Sequence, residues 1–220
     1  MKKTAIILGA TGLTGSILLE KLLEDDRYES IKLFGRREID GLPPKVHQYV
    51  GDLLVLEDFK NDFTADEVYC CIGTTAKKKT DKQRYKEIDF GIPVAAAKLA
   101  KANGISTYIA VSALGANPKS SIFYNKIKGE MEQEVASENI KKTHIMQPSF
   151  IDGERDEQRL GEKIGILVFQ LIQPLFFGKL KKYRITQAKD LAEAMIQLAN
   201  LASTQLRITS QQIESLAKAN

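Results

Sequence analysis

The stretch that decides the fold is Ala5-Ile6-Ile7-Leu8-Gly9-Ala10-Thr11-Gly12-Leu13-Thr14-Gly15, near the start of the 220-residue chain. An apolar run typical of a buried strand leads into three glycines at G-x-x-G-x-x-G spacing, and a helical pattern follows. Such a loop allows a tight turn, a close approach of backbone amides to a diphosphate, and close packing of helix on strand. The stretch therefore predicts a dinucleotide site that uses every residue from Gly9 to Gly15. The alternative is a glycine-rich turn without a ligand.

The same rhythm of short apolar runs and helical patterns continues through the first 150 residues. We predict strands at residues 5–8, 31–34, 46–50, 68–72, 108–111 and 143–146, with helices between several of them. Strands that alternate with helices favour an α/β, doubly wound parallel sheet with helices on both faces. Beyond Pro148 we predict an apolar helix at 164–175, a short strand at 183–185 and a helix at 187–200. We predict one domain over 1–220, to which 149–186 adds a small cap on the substrate side.

The end of the second predicted strand, Phe34-Gly35-Arg36-Arg37, bears on the choice of cofactor. A site for NAD(H) places Asp or Glu here, where the carboxylate accepts from the ribose hydroxyls and repels a 2′-phosphate. Arg36 and Arg37 instead offer forked donors to a phosphate. We therefore predict NADP(H) in preference to NAD(H), while two solvated turn arginines are the alternative.

Two further segments follow predicted strands at the edge where the cofactor would lie. Asp52 and Leu53 follow the third strand and are candidates for contact with the adenine. Four small or apolar residues at and directly after the end of the fourth strand would let the backbone lie against the ribose and phosphates. They are Ile72, Gly73, Thr74 and Thr75.

Candidate catalytic residues come next in the chain. Tyr124 and Lys128 lie four positions apart on a predicted helix and share a face, and Ser112 ends the preceding strand. In a carbonyl reduction a phenol donates a proton to the carbonyl oxygen, and a nearby ammonium stabilises the phenolate. A serine hydroxyl can hold the same oxygen. Tyr28 and Lys32 repeat the spacing but lie away from the carboxyl ends of the strands, so we interpret them as structural.

Together these residues resemble an atypical short-chain dehydrogenase. More narrowly, the chain is similar to the Tat-interacting tumour-suppressor-like (CC3-like) group of NADPH-binding proteins, over nearly its whole length. The motifs behind this are the glycine loop, Gly35-Arg36-Arg37, Cys71-Ile72-Gly73-Thr74-Thr75, Ser112, Tyr124-Asn125-Lys126-Ile127-Lys128-Gly129-Glu130 and Gln147-Pro148-Ser149. The resemblance implies a Rossmann core with strand order 3-2-1-4-5-6-7, NADP(H) at the glycine loop and the arginine pair, and Pro148 at the cofactor. It also implies that Ser112, Tyr124 and Lys128 match the family's catalytic triad.

Composition excludes several other classes of protein. Hydrophobic residues make up 43% and charged residues 27%, which is ordinary for a folded domain rather than a disordered chain. The net charge of +4 is too small to suggest a nucleic-acid partner. Two histidines and the adjacent Cys70 and Cys71 form neither a metal motif nor a disulfide framework, so we expect no metal and a cytoplasmic location. No apolar run reaches the length of a transmembrane helix, and we expect none.

These observations lead to an NADP(H)-dependent oxidoreductase acting on a carbonyl or hydroxyl group of a small molecule. The run Lys77-Lys78-Lys79 is compatible with an anionic substrate or with a solvated loop. One alternative is a regulatory protein that senses NADP(H) with little turnover, and another is an enzyme like the nucleotide-sugar epimerases or dehydratases. A homodimer is an open alternative to a monomer.

Overall fold

Seven parallel strands form the central sheet of the protein in the computed structural model, which describes residues 2–74, 81–152 and 184–219. The strands are β1 (Lys3–Leu8), β2 (Tyr28–Gly35), β3 (Val46–Val50), β4 (Glu67–Cys70), β5 (Thr107–Val111), β6 (Lys142–Gln147) and β9 (Arg207–Thr209). A second, two-stranded sheet pairs β7 (Ile151–Asp152) with β8 (Thr186–Gln187).

The order across the large sheet is β3-β2-β1-β4-β5-β6-β9. This confirms the expected order 3-2-1-4-5-6-7, with Arg207–Thr209 in the seventh place because the short β7–β8 pair comes first along the chain. No strand is predicted at 207–209, because three residues are too few to show a pattern. The order reverses at β1, which lies between β2 and β4. Ligands of open α/β sheets bind at such a switch point, beyond the carboxyl ends of the strands.

Helices cover both faces of the sheet. The α-helices are α1 (Leu13–Glu24), α2 (Lys82–Lys86), α3 (Ile92–Ala102), α4 (Phe123–Ser137), α5 (Ala188–Asn200) and α6 (Ser210–Ala217). A 3-10 helix spans Leu53–Phe59, and a π-helical turn, Glu87–Gly91, joins α2 to α3. Strand β1 shows why the fold has two cores. Ile7 packs with residues of α1 and α5, whereas Ile6 and Leu8 pack with residues of α3 and α4.

Most predicted elements are confirmed. Of the six strands predicted in the first 150 residues, β3 has the predicted bounds, β2 begins three residues earlier than predicted, and the others differ by one or two residues at an end. The predicted strand 68–72 ends at Cys70, because the chain then turns away over the glycine loop. The strand predicted at 183–185 lies instead at Thr186–Gln187, and α5 begins directly after it. The predicted helix at 164–175 and most of the predicted cap at 149–186 lie outside the described residues, as does the lysine run 77–79. Among the described helices, none has both the length and the apolar character needed to cross a membrane.

Candidate functional site

The glycine loop joins β1 to α1 and gives its three glycines separate tasks. Gly9 has a φ of +88°, and a Cβ atom there would lie 3.0 Å from the carbonyl oxygen of Cys71. Gly12 is the N-cap of α1, and its amide donates to the Gly9 carbonyl over 3.0 Å. A Cβ on Gly15 would lie 2.1 Å from the same carbonyl oxygen, so only glycine permits this contact of helix and strand. The first amides of an α-helix have no partner within the helix, so the start of α1 after this loop offers donors that suit a phosphate.

A pocket opens beside this loop, between the ends of β2 and β3. Its lining includes Gly9, Ala10, Thr11, Arg36, Arg37, Leu53 and Ile72. Phe34 and Tyr49 stack beneath it with ring centroids 4.7 Å apart, which stiffens the ends of both strands. Arg36 and Arg37 are exposed, and both reach the pocket from the end of β2. Backbone amides, an apolar wall and two cations on one rim fit the adenosine half of a dinucleotide.

The two residues predicted after β3 have different positions. Leu53 is buried and lines the pocket. Asp52 caps the 3-10 helix instead, because its carboxylate accepts from the amide of Leu54 over 3.0 Å. The Asp52 carboxylate therefore stabilises the local turn, and the contact of Asp52 with the adenine stays a prediction.

The turn after β4 lies against a buried ion pair. Lys128 and Asp89 are 3% and 1% exposed, and Lys128 Nζ lies 3.0 Å from Asp89 Oδ1. The other carboxylate oxygen of Asp89 accepts from the Thr74 amide over 3.0 Å and from the Thr74 hydroxyl over 2.6 Å. A Cβ on Gly73 would lie 3.5 Å from Asp89 Oδ1 and 3.8 Å from Lys128 Nζ. The predicted cofactor turn and the predicted catalytic lysine are thus brought together.

Tyr124 lies one turn before Lys128 on α4, as predicted. Its ring centroid is 6.1 Å from that of Tyr85, a buried residue of α2. Burial raises the pKa of Tyr124, Lys128 lowers it by less, and the Asp89 carboxylate raises it further. The net direction is opposite to the lowered pKa expected from Lys128 alone. The phenol of Tyr124 is therefore held in its protonated form at neutral pH.

Ser112 faces a second buried carboxylate. Its hydroxyl donates to Glu132 Oε1 over 2.6 Å, and Glu132 is 1% exposed. The amide of Gln147 donates to both oxygens of Glu132, and Arg207 Nε donates to Oε2 over 2.8 Å. Glu132 thereby joins α4 to the ends of β5 and β6 and to the first residue of β9. Because the Ser112 proton is engaged, the oxygen of Ser112 is left as an acceptor.

The last predicted residues lie at the margin of this site. Pro148 is buried after β6, and its carbonyl accepts from the amide of Leu114 over 2.7 Å, which ties the loops after β5 and β6 together. Thr75 lies outside the described residues. In the described parts of the chain, no three His, Cys, Asp or Glu side chains gather as metal ligands.

Asp89 and Glu132 are the residues that the sequence analysis missed. Glu132 carried a weak signal, because it lies four positions after Lys128 and hence on the same face of α4 as Tyr124. Asp89 carried none, because its contacts with Thr74 and Lys128 span 15 and 39 residues of chain.

Comparison with known proteins places this geometry in a family context. A family model described as NAD(P)H-binding matches residues 9–167. The "Protein FMP52, mitochondrial" of Debaryomyces hansenii is 30% identical over 92% of this chain and 90% of its own length. The "Protein HTATIP2" of Rattus norvegicus is 32% identical over 73% of this chain and 67% of its own. These relatives confirm the predicted resemblance to the Tat-interacting group.

Solved structures support the fold. The UDP-glucose 4-epimerase of Thermotoga maritima has a TM-score of 0.71 at 15% identity, covering 98% of this chain and 81% of its own. The Bordetella bronchiseptica enzyme WbmH, solved with NAD+, has a TM-score of 0.70 at 16% identity, covering 94% and 75%. At such low identity the likeness concerns the fold alone, and it confirms a Rossmann sheet.

The prediction of a cytoplasmic location is wrong. Several relatives, from Debaryomyces hansenii to Candida albicans, carry the word mitochondrial in their names. The prediction depended on the lack of a disulfide framework, which indicates a reducing environment but does not distinguish one reducing compartment from another.

Proposed function

The chain belongs to the NAD(P)H-binding family, and on this premise we propose that it is an NADP(H)-dependent oxidoreductase of the atypical short-chain dehydrogenase type. It acts on a carbonyl or hydroxyl group of a small molecule. The observation that carries the proposal is the position of Lys128 against the Gly73–Thr74 turn, at the same sheet edge as the glycine loop. Lys128, which we propose to act at the nicotinamide end of the cofactor, therefore lies beside the backbone that would hold the cofactor.

The arginine pair supports NADP(H) as the cofactor. Arg36 and Arg37 are exposed on the rim of the pocket that fits the adenosine half. A guanidinium binds a phosphate with two parallel hydrogen bonds, and a 2′-phosphate is the feature that separates NADP(H) from NAD(H). The neighbouring Glu38 is also exposed, but it does not line the pocket.

Tyr124 and Lys128 of α4 and Ser112 after β5 have separate roles in the proposed reduction. When bound, the reduced nicotinamide supplies the hydride to the carbonyl carbon. Tyr124 donates its phenol proton to the carbonyl oxygen, for which a phenol kept protonated is suited. Lys128 orients the ribose and stabilises the negative charge that develops on the oxygen of Tyr124. The oxygen of Ser112, with its proton donated to Glu132, accepts from the hydroxyl of the alcohol product.

A sensor of NADP(H) is the second candidate, and one feature of the site favours it. The two side chains proposed to assist Tyr124 both contact buried carboxylates. Lys128 forms an ion pair with Asp89, and the Ser112 hydroxyl donates to Glu132. Such a site can bind the cofactor while it turns over slowly. A screen of aldehydes, ketones and nucleotide sugars separates the possibilities. Oxidation of NADPH supports the reductase, interconversion without net oxidation supports an epimerase, and tight binding without either supports the sensor.

Titration of the protein with NADPH and with NADH tests the cofactor proposal. We expect NADPH to bind more tightly, and the double variant Arg36→Ala/Arg37→Ala to lose about tenfold or more in affinity for NADPH while NADH binding changes little. Arg27→Ala is the matched control, because Arg27 binds Asp25 at the opposite edge of the sheet. Equal binding of both nucleotides by the wild type would refute the preference. If calorimetric titration detects no heat of binding with either nucleotide, the proposed cofactor site is refuted.

A further inference from the structure

We propose that Asp89 is a positioning residue of the proposed reduction, which holds Lys128 against the Thr74 turn and offsets the lysine's positive charge at Tyr124. The inference rests on the proposed function for its chemistry, but its geometry stands on contacts of the chain itself. Asp89 is buried, and it bridges two segments that the sequence separates widely, the turn after β4 and helix α4.

The bridge has a defined shape. One oxygen of Asp89 lies 3.0 Å from Lys128 Nζ, and the other accepts two hydrogen bonds from Thr74. The backbone that carries Asp89 is the π-helical turn Glu87–Gly91 between α2 and α3. Such turns are rare and are frequently found at functional sites. Here the π-helical turn contains Asp89, which contacts both Thr74 and Lys128. The irregular backbone and the ion pair therefore occur at the same place.

The ion pair limits what Lys128 can do for Tyr124. A buried ammonium alone favours a neighbouring phenolate, whereas a carboxylate at 3.0 Å cancels much of that field. Besides Tyr124 on α4, two titratable groups of other described elements lie near the Asp89–Lys128 pair. They are Tyr85 on α2 and Cys70 at the end of β4. Burial raises the pKa values of Tyr85 and Cys70, so both stay neutral at pH 7 and Asp89 is the group that opposes Lys128.

The consequence is a site biased toward proton donation. With Asp89 present, Tyr124 keeps its proton and gives it up only when an oxyanion develops nearby. Without the carboxylate, the charge of Lys128 acts on Tyr124 in full, and Tyr124 becomes a stronger acid. Asp89 therefore sets the pH range over which the phenol acts as donor rather than base.

Titration of Tyr124 in the variant Asp89→Asn tests the inference without cofactor or turnover. Tyrosine labelled with ¹³C at Cζ gives one NMR resonance per residue, and the resonance missing from Tyr124→Phe identifies Tyr124. We expect the Tyr124 midpoint to fall by about one pH unit or more in Asp89→Asn. Asp81→Asn is the control, because Asp81 caps α2 without reaching Lys128, and it should leave the midpoint unchanged. An unchanged or raised midpoint in Asp89→Asn overturns the proposal.

A double-mutant cycle covers the case in which Asp89→Asn folds poorly. Urea unfolding is measured for Asp89→Leu, for Lys128→Met and for the double variant. We expect the double variant to unfold at a higher urea concentration than Asp89→Leu, because an unpaired buried ammonium costs more than its removal. Additive losses overturn the role of Asp89 through Lys128. Failure of NADPH binding in the wild type refutes the proposed function instead, since neither measurement here uses a nucleotide.

Discussion

The two edges of the sheet carry nearly the same chemistry and use it differently. At the carboxyl edge, Asp89 pairs with Lys128 beside Tyr124. At the amino edge, the buried Glu67 accepts from Lys3 Nζ over 2.6 Å and from the hydroxyl of Tyr28 over 2.7 Å.

The amino-edge cluster is closed on itself. Tyr69 also donates to Glu67, over 2.7 Å, and Asn200 at the end of α5 contacts both Lys3 and Tyr28. Burial raises the pKa values of Tyr28 and Tyr69. Every polar group there binds another part of the protein, so the cluster fastens α5 to the starts of β1, β2 and β4. Similar residue types therefore have different roles at the two edges, and the edge of the sheet at which they meet distinguishes these roles.

The largest expected effect separates the two tyrosines. Tyr124→Phe should lower the rate of NADPH oxidation on an accepted carbonyl substrate by about 100-fold or more, because general-acid catalysis contributes about 10²–10⁴. Its affinity for NADPH should stay within about twofold by fluorescence titration. Tyr28→Phe removes a hydroxyl from the closed cluster and should leave the rate unchanged. Full activity in Tyr124→Phe would remove the distinction between the edges.

A second prediction concerns the amino edge. Glu67→Leu leaves the Lys3 ammonium without its charged partner and two buried hydroxyls without the carboxylate that accepts from them, so we expect the free energy of unfolding to fall by about 3 kcal/mol. Urea denaturation measures this. Glu57→Gln is the control, because Glu57 is 69% exposed in its pair with Lys60 and should change the stability by less than about 0.5 kcal/mol. A folded Glu67→Leu should bind NADPH as the wild type does, and a large loss of affinity would contradict the structural role.

The smallest expected effect is a pH dependence that belongs to neither cluster. His144 is fully buried in β6, its Nδ1 donates to the Gln205 carbonyl oxygen over 2.7 Å, and burial lowers its pKa. Below the unfolded-state pKa of about 6.5 the unfolded chain binds the extra proton more readily, so stability is full above that pH and falls as pH drops below it.

The variant His144→Gln isolates this contribution. Between pH 7 and pH 5, the free energy of unfolding of His144→Gln should fall by less than that of the wild type. The difference should be up to about 1 kcal/mol, whatever the absolute stability of the variant. His47→Gln, in the edge strand β3, is the matched comparison. An equal pH dependence in His144→Gln and the wild type would show that other groups cause the decline.

The sequence predicted the sheet well because its evidence is local. The apolar run before Gly9, the glycine spacing and the helical patterns each lie within a few residues, and they specify a Rossmann sheet together. The pairing of Tyr124 with Lys128 was predictable for the same reason, since four residues make one helical turn. Tyr28 and Lys32 have the same spacing, and their position away from the carboxyl ends of the strands correctly indicated a structural role.

The chain by itself determined the alternation of strands and helices, the glycine loop and the face of α4. Only the tertiary structure decided what each side chain of that face contacts. It placed Asp89 against Lys128 and Glu132 against Ser112, and it made the Asp52 carboxylate the cap of a 3-10 helix. The physical reason is that the pKa of Tyr124 depends on burial and on charges brought from distant segments, and no spacing in the sequence encodes the distance between them.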